Sequence, residues 1–146
     1  GFSDASKELP AQIVFGNIGA TSIVSSPEQS NTFLKVETLD SFAKENSLKG
    51  ISFIKIDVEG HEYSVLVGAR DTLIKENAVI SLELEMTNYY ENCIESINFL
   101  KSCGYSEAHI LKNTFSGAIS SNFKKTSIDN FLKLPRKRHK MVLFTK

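Results

Sequence analysis

The stretch FIKIDVEGHEYSVLVGA, Phe53 to Ala69, changes its hydrophobic period within a few residues. Ahead of the change, ISFIKIDV (Ile51 to Val58) carries apolar residues on both faces with Lys55 the main exception, the pattern of a strand covered on both sides. After it, Leu66, Ala69 and Leu73 recur at helical spacing with Tyr63 and Val65 beside them. A second β-branched run, AVISLELEM (Ala78 to Met86), follows directly. Strand, helix and strand in this order predict a right-handed βαβ unit with HEYSVLVGARDTLIKEN as a single crossover helix. That unit commits the chain to an α/β architecture.

The remaining strand candidates are AQIVFG (Ala11 to Gly16), TFLKVET (Thr32 to Thr38), SEAHILK (Ser106 to Lys112) and KMVLFTK (Lys140 to Lys146). A helix is expected over about Tyr89 to Cys103, with Tyr90, Ile94, Ile97 and Leu100 on one side and Gly104 just past its end. ETLDSFAKENS predicts a short helix with Asp40 near its start, and Asn113 to Lys140 reads as mostly irregular, with one helical turn at SIDNFLKL. At 146 residues and 41% hydrophobic content, the chain fits one domain over 1–146 with a sizeable core.

Seventeen basic residues balance seventeen acidic ones, so no global field draws the chain to nucleic acid or an anionic membrane, and neither is expected as a partner. No run approaches the roughly 20 apolar residues of a membrane span. Cys93 and Cys103 match neither a CxxC pair nor a zinc spacing; as reduced structural thiols they favour a cytoplasmic setting. The one strong charge cluster, KLPRKRHK (Lys133 to Lys140), reads as a solvated loop or as a patch for a phosphorylated or acidic acceptor.

Ligands of open α/β sheets bind beyond the carboxyl ends of the strands, where Asp57 stands. Gly60 permits a tight turn there, and Glu59, His61 and Glu62 fall at or just before the first helical turn, where carboxylates also serve as caps. An acid closing a two-sided apolar strand needs a partner. A helical HExxH zinc site is excluded, since Val65 stands four residues after His61. Asp57, Glu59, His61 and Glu83 could hold a divalent ion only if the next strand aligned its end beside Asp57. No metal site is expected, and a small metal-dependent hydrolase is the least favoured alternative.

IKIDVEGHEYSVLVGARDTL followed by AVISLELE resembles the signature of the FkbM-type S-adenosylmethionine-dependent methyltransferases. VETLDSF, and further upstream GFSDASKELP and GATSIV, are also similar to that family's middle region, so the resemblance runs from the first residues to about Met86. It implies a partial class I, Rossmann-like methyltransferase sheet, doubly wound and mostly parallel, closed by a C-terminal antiparallel hairpin of SEAHILK and KMVLFTK. It further implies S-adenosylmethionine as cofactor and O-methylation of a small-molecule acceptor, a hydroxyl on a sugar or secondary metabolite. Under the resemblance Asp57 faces the methyl end of the cofactor or the acceptor hydroxyl. Glu59 and Glu83 are further acids around the acceptor, His61 is a base with a pKa near neutrality, and Asp4 approaches the adenosine.

The family's glycine-rich first motif is expected upstream of Gly1. VFGNIGATSIV imitates it with Gly16, Asn17 and Gly19, but Pro27 and the polar SSPEQS oppose a following helix, so it is not read as a cofactor loop. The chain is accordingly expected to be a C-terminal piece of the fold that keeps the acceptor side. The edge of the SFIKIDV strand then lacks a neighbour. It is expected to be covered by AQIVFG, by TFLKVET, or by the same edge of a second copy in a symmetric homodimer. A non-catalytic, self-assembling module is the competing reading.

Overall fold

β-Branched and aromatic runs pair into two sheets. The structure, a computed structural model, describes residues 1–13, 15–16, 21–24, 26–111, 123–135 and 138–146, with only the backbone of 138–140. Strands β1 (Lys7–Gln12), β2 (Ser22–Ile23) and β3 (Thr32–Val36) form an antiparallel sheet in the order β2-β1-β3. The second sheet, β4-β5-β8-β6-β7, holds β4 (Phe53–Ile56), β5 (Val79–Glu85), β6 (Glu107–Leu111), β7 (Phe123–Ser127) and β8 (Arg138–Thr145).

The expectation of a mostly parallel sheet is wrong. Among the described strands only β4 and β5 are parallel neighbours; the β5–β8, β8–β6 and β6–β7 pairs are antiparallel. Since β5 and β6 both oppose β8, strands β4, β5 and β6 still share one direction, and β8 enters between β5 and β6 from the opposite end. SEAHILK and KMVLFTK do pair antiparallel, with Ala108 opposite Phe144, but β7 and a helical turn separate them in the chain. β7 lies in the stretch read as irregular, while the helical turn expected there is α5 (Ile128–Phe131).

The helices α1 (Leu39–Glu45), α2 (Glu62–Val67), α3 (Arg70–Lys75), α4 (Tyr90–Ser102) and α5 pack on one face of this sheet. Register places Ile54 beside Ile80 and Phe144, and Ile56 beside Leu82 and Val142. These side chains join Leu66, Leu73, Ile97, Leu100 and Phe131 in the core, and each full burial of such a group contributes about 1.5–3 kcal/mol. Phe53, Lys55 and Glu83 lie outside that cluster; Phe53 is 54% exposed. The two-sided cover read from SFIKIDV and the doubly wound arrangement implied by the resemblance are therefore not seen among the described residues.

The single crossover helix is instead two, broken at Gly68 and Ala69. The cause is tertiary. The carbonyl of Ser3 lies where a Cβ on Gly68 would sit, 1.9 Å from that position, so only glycine fits. Asp40 clamps the break from both sides: its N–H donates to the Gly68 carbonyl (3.0 Å), and its carboxylate accepts from the N–H groups of Asp71 (2.9 Å) and Thr72 (2.8 Å). Two orphan donors at the start of α3 are thereby satisfied by a side chain 31 positions earlier.

Neither AQIVFG nor TFLKVET covers β4, because both belong to the three-stranded sheet. The first of these strands also begins earlier than expected, at Lys7, through pairing of Lys7 to Ala11 with Val36 to Thr32. Gly16 is described at φ +87°, but Asn17 and Gly19 of the imitated glycine motif lie outside the described residues, as do the basic run's Arg136 and Lys137. Among the described residues no helix is long and apolar enough to cross a membrane.

Candidate functional site

Pairing of Ile56 with Leu82 carries the chain one step further to Asp57 beside Glu83, at the carboxyl ends of the two parallel strands. The backbone then turns back through Glu59 and Gly60, both with positive φ (+47° and +91°), as the N–H of His61 donates to the Val58 carbonyl at 3.3 Å. Two successive positive φ values are the signature of a type I′ turn. Gly60 is required twice over, since a Cβ there would also lie 3.0–3.3 Å from the Tyr89 ring.

The turn separates the sequence-predicted residues onto two sides of Asp57. On one side, Asp57, Glu59, Glu62, Glu83, Glu85 and Tyr89 line a cleft with about 10 Å³ of free space, room for roughly one water. Glu62 is buried, and its Oε1 accepts from the Gly60 N–H at 3.1 Å. Among the described residues no three His, Cys, Asp or Glu groups are placed to hold a metal ion. On the other side, Asp57, Val58 and His61 line a cavity of about 160 Å³ with Phe2, Val36 and residues of β2 and β3. His61 thus belongs with Asp57 and not with the acidic cleft, so the grouping of Asp57, Glu59, His61 and Glu83 does not form.

Asp57 has its partner in Lys55, whose Nζ donates to Oδ2 at 2.6 Å and whose own pKa is raised by that bond. Both side chains are well exposed, and pairs of this kind contribute little to stability. His61 is half-buried, and burial lowers its pKa; the nearby Asp4 charge pulls the other way and Lys7 acts with burial. Its Nε2 lies 2.9 Å from Ser3 Oγ, which donates to Asp4 Oδ1 at 2.8 Å. Asp4 also pairs with Lys7 at 2.8 Å, and these two bonds, Lys7's first, hold its pKa below the usual carboxylate value. The two thiols are buried and free, and burial pushes the Cys93 thiol up to about 11, so it is a packing group.

Ser3, Glu85 and Tyr89 are among the lining or contacting residues that sequence reasoning missed, with Phe2 and Val36. Glu85 was legible, because it follows Glu83 by two along a strand and shares its face. Ser3 was not, since its role depends on an approach across 58 positions.

The enclosed space near Asp57 is smaller than the roughly 300 Å³ or more of typical small-molecule sites. A family model described as Methyltransferase FkbM domain matches residues 8–107. No curated protein and no solved structure matches the chain.

Proposed function

This chain belongs to the FkbM methyltransferase domain family, and from that premise we propose that it serves O-methylation of a hydroxyl on a sugar or secondary metabolite. The observation that carries the reading is that Asp57 and His61 line one cavity at the carboxyl end of β4. Methyl transfer to an oxygen needs that oxygen held in line and relieved of its proton. His61, whose pKa burial lowers, accepts the acceptor's O–H and takes its proton, while the Asp57 carboxylate on the same cavity offsets the positive charge that forms on the ring. Glu59 and Glu83, across Asp57 in the acidic cleft, draw cationic character toward this end of the sheet. S-adenosylmethionine is the donor of this reading.

Calorimetric titration with S-adenosylhomocysteine, followed by turnover of Asp57→Asn and Glu59→Gln variants, tests it. Micromolar binding is expected, with turnover of Asp57→Asn reduced about 10²-fold or more. Silence at millimolar ligand removes the methyltransferase reading, and full turnover in both variants removes these two residues from it.

One observation favours a second property, self-association. β4 has a single described strand neighbour, and along its open edge Phe2, Leu39, Leu48, Phe53, Ile54 and Leu73 line an apolar groove of about 480 Å³. An antiparallel pairing of two β4 edges with Ile56 on the two-fold axis sets Lys55 of one copy opposite Asp57 of the other, twice.

A further inference from the structure

We propose that Ser3 is a positioning residue for His61: its buried hydroxyl, committed as a donor to Asp4, accepts the Nε2–H of His61 and leaves Nδ1 as the unprotonated ring nitrogen. The argument is a count of protons. An ionised carboxylate only accepts, and a serine hydroxyl has one hydrogen to give. Asp4 is held ionised by Lys7, so the 2.8 Å contact between Ser3 Oγ and Asp4 Oδ1 uses the serine proton. The 2.9 Å contact between Ser3 Oγ and His61 Nε2 must then be filled by a proton from the ring. A neutral imidazole has one N–H, so Nδ1 carries the lone pair.

The relay is built into rigid backbone. Ser3 is fully buried, its N–H donates to the Glu37 carbonyl at 2.8 Å, and its carbonyl fills the space left by the missing Cβ of Gly68. Charged groups bearing on the ring are Asp4 and Lys7 from the N-terminal segment and β1, and Asp57 across the shared cavity. The catalytic meaning of the lone pair, as proton acceptor for the acceptor hydroxyl, rests on the methyl-transfer reading; the tautomer does not.

Nitrogen-15 correlation spectra of the histidine rings in the full 146-residue chain read the tautomer directly, without cofactor or acceptor, and the His61→Gln variant identifies the His61 signals among those of the three histidines. His61 is expected as the Nε2–H tautomer at pH above its titration. Asp4→Asn keeps the exposed side chain's size and leaves Ser3 in place, but its amide can donate as well as accept. It is therefore expected to abolish the single-tautomer signal and, by removing a negative charge, to shift the His61 titration to lower pH. Ser3→Ala is expected to abolish the preference as well. A native Nδ1–H tautomer, or an unchanged tautomer in both variants, overturns the proposal. Failure to bind S-adenosylhomocysteine bears on the methyl-transfer reading alone.

Discussion

At Glu59 the backbone is held at φ +47°, a conformation that costs an ordinary side chain about 1–2 kcal/mol and that Asn or Gly adopts more readily. The turn that needs it also aims Asp57 and His61 at one cavity and Glu59 at the acidic cleft. Glutamate at this position is poor turn chemistry in a place where a carboxylate lines a cleft, the kind of local conflict found at functional sites. The Glu59→Asn variant is expected to be more stable than the native chain by about 0.5 kcal/mol, seen as a raised urea midpoint at unchanged slope. A lowered midpoint would show that Glu59 serves the fold. Asp57, Gly60 and the turn itself were legible in IDVEGHE, because residue type and strand position suffice to place them. That His61 parts from Glu59 and Glu83 was not, since it follows from two successive positive φ values.

The crossover is the element in which local pattern and outcome differ most. Leu66, Ala69 and Leu73 keep helical spacing through the break, and all three are buried in the core, so periodicity reads one helix where the chain makes two. What divides them is the Ser3 carbonyl against Gly68 and the Asp40 clamp on the next turn. A Gly68→Ala change puts a methyl group into occupied backbone and is expected to cost about 2–3 kcal/mol while displacing Ser3 from His61. Asp40→Asn retains one acceptor oxygen for two N–H groups and is expected to cost about 1 kcal/mol. Denaturant midpoints measure both, and a Gly68→Ala protein as stable as the native chain would mean the N-terminal segment does not seat against α2. Gly104, at φ +95° after α4, shows the opposite case: its role was readable because helix termination is local.

Across the whole molecule, β4 has β5 as its one strand neighbour among the described residues, and apolar groups line its other edge. If two β4 edges meet as proposed, light scattering finds a dimer. Lys55→Glu, which sets acid against acid, returns it to monomer, and the exchange Lys55→Glu with Asp57→Lys restores it. A native chain that stays monomeric at high concentration rules that pairing out. The parallel β4–β5 pair, the helix that follows each of β4 and β5, and the acids at their ends were determined by the sequence itself, because burial period and strand ends are properties of neighbouring residues. Only the tertiary structure decided that β8 enters antiparallel between β5 and β6, that the small sheet stands apart from β4, and that Ser3 reaches His61. Those outcomes depend on which distant segments satisfy each other's hydrogen bonds and fill each other's gaps, a condition that no local pattern of residue types encodes.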